Sequence, residues 1–331
     1  MPRCQKILSR RMFLAGVSAG APLLAGGTRA WAADSNFPSN NIDFIIPKSP
    51  GGGFDNLVRV VVPAMERFLP HKVNVVPDNI PAGGGGKGIT QLYRSKPDGY
   101  TIGAVDLPGS FVLQQRQGGV AFDLNKIVWL GLLGRPDSFA LAVGTNSRLK
   151  SMQDLMALSK TRAVKFTSSG PEGTAYAATV IATKILGVNA RMIAGYKGSS
   201  DFVVGAMRGD GDAVVAPVST LLPMVQAKTM RILANFETRS TFPGVPDVAA
   251  LGHPELAQIL LVRIVGAPPG LPAGIKTILA AALNKSMADP ETVRLAKNLD
   301  VVMSPQTAEE TETIVRQSAA LFDKWKQYLA A

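Results

Sequence analysis

The stretch IIPKSPGGGFDNLVRV, residues 45–60, decides how this chain is read. An apolar run stops at Pro47, three glycines follow, and from Phe54 apolar residues recur at helical spacing. The pattern is a strand, a glycine loop and a helix start. A helix start leaves several backbone N–H groups unpaired and carries a partial positive charge. Glycines admit a ligand to that backbone, so Gly51, Gly52 and Gly53 form a candidate anion-binding loop that needs no cationic side chain. A tight strand-to-helix turn with Asp55 as N-cap accounts for the same residues equally well.

Working outward, the chain repeats this rhythm. IDFIIP, KVNVVP and YTIGAV read as strands, and FDNLVRVVVPAMERFL and GITQLYRS read as helices between them. Pro63 is expected to kink the first helix, and KPDGYT suits a type I turn. From about residue 134 a second set follows: strands FALAVG, VKFTSSG, ARMIAG, AVVAP and MRILANF, with helices SMQDLMALSK and GTAYAATVIATKILG. Residues 263–331 read as a strand and three helices, too few strands for a domain of their own. Alternation of strand and helix predicts parallel sheets with flanking helices. Lobe 1 is expected over 37–133 plus 263–331 and lobe 2 over 134–262, with a ligand cleft between them.

Of the 331 residues, 46% are apolar and 18% charged, a globular composition. The start, MPRCQKILSRRMFLAGVSAGAPLLAGGTRAWA, reads as an export signal over residues 1–32. It has a basic beginning, a short apolar stretch and Ala30-Trp31-Ala32 at the cleavage position. Ser9-Arg10-Arg11-Met12-Phe13-Leu14 fits the twin-arginine pattern, with a general secretory signal as the alternative. The reading is a periplasmic protein cleaved near Ala32. Its single cysteine, Cys4, would leave with the signal, so no disulfide, thiol nucleophile or cysteine ligand is expected in the mature chain. Five basic residues leave with it, and the formal charge falls by those five from +11 to +6. The remaining charges are dispersed, which favours small anions over nucleic acid.

Other motifs also have plainer readings. FTSSGPEGTAY, residues 166–176, repeats the opening pattern in lobe 2, with Ser168, Ser169, Gly170 and Thr174 as donors at a second helix start. GGGGKG, residues 83–88, satisfies G-x-G-x-x-G, with Asp106 near the expected acidic position, and supports an exported dinucleotide-dependent oxidoreductase as the alternative. Its glycine richness makes the match weak, and Gly88 stands where a phosphate loop needs Ser or Thr. Asp210 and Asp212 are paired carboxylates that more often cap turns than do acid–base work. His71 and His253 have no metal-ligand spacing. No catalytic set, metal site or cofactor is expected.

PGGGFDNLVR, NIPAGGGGKG, KPDGYTIGAV, FTSSGPEGTAY, AGYKGSSDFVVGAMRGDGDAVVA and GAPPGLPAGIKTILAAALNKSMADPETVRLAKNLDVVMSPQTAEE occur in this order. Together they resemble the periplasmic solute receptors of tripartite tricarboxylate transporters, the Bug-type binding proteins, over nearly the whole mature chain. The resemblance implies a two-lobed Venus-flytrap, each lobe a mixed, mostly parallel sheet flanked by helices. It implies a non-enzymatic monomer that closes on a small organic carboxylate, di- or tricarboxylate or related, and passes it to membrane permease subunits. A sensing role is the other option the resemblance allows. Ligand-binding residues carried over are Gly51, Gly52, Gly53, Phe54, Asp55, Ser168, Ser169, Gly170 and Thr174. Asp106 and Leu107, with Gly195, Tyr196 and Lys197, would line the cleft, and Asp212 matches a recurrent acid. Phe54 stands where a small or hydroxylated residue is common, Asp106 is an acid facing an expected anion, and PDVAALGHPEL lacks the usual Pro-Thr. The particular carboxylate is left open.

Overall fold

The computed structural model describes residues 36–116 and 121–329; the expected signal lies outside them. The first half of the sheet is built from β1 (Ile42–Ile46), α1 (Gly53–Phe68), β2 (Val75–Asn79), α2 (Gly86–Arg94), β3 (Thr101–Leu107), α3 (Gly109–Arg116) and β4 (Val128–Leu132). The second half contains β5 (Asp137–Gly144), α4 (Met152–Thr161), β6 (Val164–Thr167), α5 (Thr174–Ile185), β7 (Ala190–Ile193), α6 (Ser199–Arg208), β8 (Ala213–Pro217), α7 (Val218–Gln226) and β9 (Met230–Asn235). The chain then returns through β10 (Leu260–Ala267), α8 (Ala273–Ala288), α9 (Pro290–Lys297) and α10 (Ala308–Trp325).

Local chemistry explains these elements. In α1 the residues Leu57, Val58, Val61, Val62 and Met65 form one buried stripe, and the helix runs on through Pro63 as a single element. Ser151 with Asp154 and Thr307 with Glu310 close capping boxes at the starts of α4 and α10. Asp289 caps α9, with Pro290 in the first helical position, where its missing N–H costs nothing. β2 starts three residues later than the sequence suggests and contains Pro77. It is the edge strand, where an absent donor is tolerated.

The strand order is β2-β1-β3-β10-β5-β8-β6-β7, with β4 on β10 and β9 on β5. β1 pairs in parallel with β2 and β3, and β6 with β7 and β8. The strands that join the two halves are antiparallel. β10 runs against β3, β4 and β5, and β5 against β8 and β9. The sheet is therefore mixed, as expected, with the parallel pairs in the outer part of each half and the antiparallel pairs at the joining strands β10 and β5. The join is narrow: β5 and β10 share only the pairs Asp137↔Leu261 and Ser138↔Leu260. This is a two-lobed α/β arrangement.

Each half has its own core. Phe44, Leu57, Val61, Met65, Leu279 and Leu283 pack between the first half's sheet and α1 with α8. Phe139, Phe166, Phe202 and Phe236 fill the second half. The C-terminal helix packs against both halves. Val315 and Phe322 join a cluster with Phe111, Phe122 and Trp129, whereas Trp325 is buried in the core of the second half. An 18-residue helix is about 27 Å long, enough to straddle the join. Trp325→Ala is expected to cost about 3–5 kcal/mol, read as a lower urea midpoint; a loss below about 1 kcal/mol would show that the strap is not holding the second half.

Candidate functional site

The C-terminal ends of β1 and β3 face the same way, as do those of β6 and β8. In open α/β sheets such ends carry the ligand. Lys48, two residues past β1, places its ammonium 2.9 Å from Oδ1 of Asp106, near the end of β3. Asp106 Oδ2 accepts a 2.8 Å hydrogen bond from the hydroxyl of Thr174, the first residue of α5. The same hydroxyl accepts from the Gly109 N–H at 2.9 Å. Lys48, Asp106 and Thr174 thus tie the glycine loop of the first half to the helix start of the second. Gly109 must lack a side chain because a Cβ there would overlap Thr174.

Asp106 is only 5% exposed. Burial pushes its carboxyl up, but the Lys48 charge and the hydrogen bonds from Lys48 and Thr174 outweigh it and hold the group below the usual carboxylate value. Lys48 stands inside the stretch first quoted, and the expectation of a loop without a cation overlooked it. The signal was the Lys itself, but nothing in the sequence says that β3 ends opposite it.

The two helix starts are open. In α1 the first helical bond runs from the Asn56 N–H to the Gly52 carbonyl, so the N–H groups of Gly53, Phe54 and Asp55 are those a helix leaves unpaired. In α5 the Ala177 N–H bonds to the Gly173 carbonyl, leaving Thr174, Ala175 and Tyr176 in the same position. Gly51, Gly52 and Gly53 are exposed, and nothing lies within 4 Å of a Cβ built at Gly51 or Gly53. The Ser168 hydroxyl, at the end of β6, is buried with no hydrogen-bond partner among the described residues. Buried polar groups left unpaired are rare, and this one lies in the segment between β6 and α5.

The remaining expected residues fall into place differently. Asp55 does not cap at the N-cap position, which is Gly52. Its carboxylate accepts from the Gly51 N–H at 2.8 Å, from Arg59 at 3.0 Å and from Asn79 at 3.0 Å. Burial raises its pKa, but these partners bring it below the ordinary value, so Asp55 shapes the loop from beneath. Phe54 is half-buried against the core of the first half, and Leu107 is fully buried. The Ser169 hydroxyl lies over Gly173, and a side chain at Gly170 would collide with Glu172. Gly195 is open, whereas the Tyr196 hydroxyl donates to Asp210 at 2.7 Å and its ring lies against Gly205. Lys197 is exposed. Asp212 is not brought to the loops. It takes Arg162 in two 2.7 Å bonds and the Lys165 N–H at 2.8 Å, at the start of β6 rather than its end. Asp210 is held by Arg208 at 2.9 Å, so neither member of the acidic pair stands free for acid–base work.

GGGGKG has a structural account. Gly83, Gly84 and Gly85 all have positive φ. A Cβ at Gly85 would lie 2.6 Å from the Pro47 carbonyl oxygen, and one at Gly84 would overlap Glu172 of the second half. In a dinucleotide fold this backbone must be open to a pyrophosphate. Here a carboxylate side chain covers it.

Two α/β halves joined by antiparallel strands, each with an open helix start past its strand ends, make the fold of periplasmic binding proteins. The chain belongs to the tripartite tricarboxylate transporter receptor family, whose model matches residues 57–328. It is 28% identical to BugT of Bordetella pertussis over 282 residues, covering 83% of this chain and 84% of that one. Among solved structures it superposes on MatC of Rhodopseudomonas palustris with bound malate at a TM-score of 0.75, with 17% identity, 88% of this chain and 100% of the other covered. It matches R. palustris Rpa4515 with adipate at a TM-score of 0.74, with 17% identity and coverage of 89% and 98%.

Removing Lys48 takes from the buried Asp106 the ion-pair partner it touches directly. Lys48→Met is expected to destabilise by about 3–5 kcal/mol, and Lys48→Met with Asp106→Asn to recover most of the loss. Because folding lowers the pKa of Asp106, its contribution is present above the ordinary carboxylate value of 3.8 and is lost as pH falls through the lower folded value. The wild type should therefore lose stability more steeply on acidification below about pH 4 than the double variant. Parallel acid-stability curves would rule the ion pair out as a source of stability.

Proposed function

We propose that this protein is a periplasmic receptor that closes on a small organic carboxylate and delivers it to the membrane permease of a tripartite transporter, performing no chemistry itself. The observation that carries this reading is the Lys48–Asp106–Thr174 bridge. It ties the loop that leads into the open start of α1 to Thr174, the first residue of α5, across the two halves. The N–H groups and dipoles of the two helix starts supply a positive field for a carboxylate without a ring of cations. The unpaired Ser168 hydroxyl adds a further donor. Gly51, Gly52, Gly53, Phe54, Ser168, Ser169, Gly170 and Thr174 are the residues assigned to the ligand, with Gly195 at the rim. Family membership and the malate- and adipate-bound relatives support the ligand class. The halves would act as lobes over 37–133 plus 263–331 and 134–262, with α10 strapping both. The chain would act as a monomer, exported with cleavage near Ala32. A dinucleotide reading is disfavoured by Glu172 over Gly84, an anion where a pyrophosphate would have to sit.

Thermal melting of the mature protein with mono-, di- and tricarboxylates and with NAD tests this. A ligand at 100 times its Kd should add about 2.7 kcal/mol of stability. Gly52→Val should abolish that gain at a cost of about 1 kcal/mol or less to the unliganded protein, since Gly52 has an ordinary negative φ and the nearest atom to its Cβ is 3.6 Å away, but Val is a poorer N-cap. Stabilisation by NAD alone would overturn the receptor.

A further inference from the structure

One buried cation stands outside the two loops. Arg263 lies on β10 directly opposite Asp106 on β3. Opposed residues in an antiparallel pair share a face, with Cα atoms about 4.5–5.5 Å apart. Arg263 therefore projects from the same face as the carboxylate that meets Lys48 and Thr174. Its side chain is only 10% exposed, yet a guanidinium has five donors, and the described residues supply one long contact: 3.4 Å to Oδ2 of Asp137. Asp137 has a better partner, since the Ser219 hydroxyl donates to it at 2.5 Å and the Ser219 N–H at 3.4 Å. Ser219 sits in the first turn of α7, just past the end of β8. Arg263 is thus surrounded by groups from the strand ends of both halves, at the join.

A purely structural Arg–Asp pair would be expected to form two short parallel bonds, as Arg162 and Asp212 do elsewhere in this chain at 2.7 Å each. Arg263 forms no such pair. Its spare donors match the bidentate demand of a carboxylate. Beside it, each oxygen of Asp106 has one partner, leaving lone pairs to accept from a ligand. A cation and an anion side by side fit an acid that carries a hydrogen-bond donor next to its carboxylate.

We propose that Arg263 anchors a ligand carboxylate on the floor of the cleft. Asp106 beside it then selects acids with a hydroxyl or ammonium on the carbon adjoining that carboxylate. This rests on the receptor reading and narrows its substrate class. Without such a donor the ligand gives Asp106 nothing to accept, and the water it displaces is not replaced.

Titration calorimetry with L-malate, L-aspartate, succinate and adipate tests it on the wild type, Arg263→Lys and Asp106→Asn, with melting curves to verify folding. L-malate or L-aspartate should bind the wild type about 10- to 100-fold tighter than succinate, the range of one hydrogen bond to a charged group. Which of the two binds tighter distinguishes hydroxyl from ammonium recognition. Asp106→Asn should collapse the ratio of malate (or aspartate) to succinate, a readout that general destabilisation does not move. Arg263→Lys should weaken every acid that binds by about tenfold or more, because an ammonium cannot reproduce the planar fork. Equal affinity of the wild type for succinate, malate and aspartate would overturn the proposal, as would undiminished binding by a folded Arg263→Lys. If succinate or adipate binds without preference, only this inference falls. If none of the four acids binds but a mono- or tricarboxylate does, only this inference falls; if no carboxylate binds, it falls together with the carboxylate reading.

Discussion

The ion pair of Lys48 with Asp106 and the hydrogen bond from Thr174 to the same carboxylate are the constraint on which the functional architecture depends. An aspartate buried at the end of β3 is tolerable only with a counter-charge and filled lone pairs. Lys48 can supply the charge only if the loop after β1 folds back over β3. Thr174 can supply the hydrogen bond only if α5 begins against Gly109, which in turn must be glycine. One buried charge thus fixes the relative positions of two helix starts that are about 120 residues apart in sequence.

Other contacts reinforce that arrangement from either side. Asp55 organises the first glycine loop by holding the Gly51 N–H, while Arg59 and Asn79 hold Asp55. Glu172 covers Gly84, so the second glycine loop touches the second half as well. At the join, Asp137, Arg263 and Asp106 form a row of alternating charge across β5, β10 and β3. Burial pushes the Arg263 guanidinium down from its ordinary value, and the charges of Asp137 and Asp106 oppose that shift. Balanced charges beside helix dipoles can solvate an anion with fixed groups rather than water.

Much of the fold was legible in sequence. β1, α1, α2 and β3 follow from apolar spacing, and α4 from Ser151 and Asp154 at its start. Four elements were not legible. In α3 the run GSFVLQQR puts its apolar residues together rather than on one face, because α3 is buried among several elements. β4 pairs only with β10, a partner some 130 residues distant, so its short apolar run carries no local mark. α6 and α7 begin without side-chain caps, at Gly198 and Pro217, and so lack the usual start signal. The two candidate loops were visible because glycine and hydroxyl runs at strand-to-helix junctions have a local signature. Asp212 came in through the resemblance, and nothing local marks its partner Arg162, fifty positions away.

By itself, the sequence determined the strand-to-helix units, the glycine loops that keep two helix starts open, and the family to which the chain belongs. These are local properties, set by side-chain periodicity and by residues that tolerate unusual backbone. Only the tertiary structure decided that Lys48 and Thr174 converge on Asp106. It likewise decided that Glu172 closes the GGGGKG loop, that Trp325 crosses to the second half, and that Arg263 stands opposite Asp106 with donors to spare. Those facts depend on the antiparallel return of β10 between β3 and β5. A charge's partner is set by which strands become neighbours, and neighbouring strands here are separated by more than a hundred residues of chain.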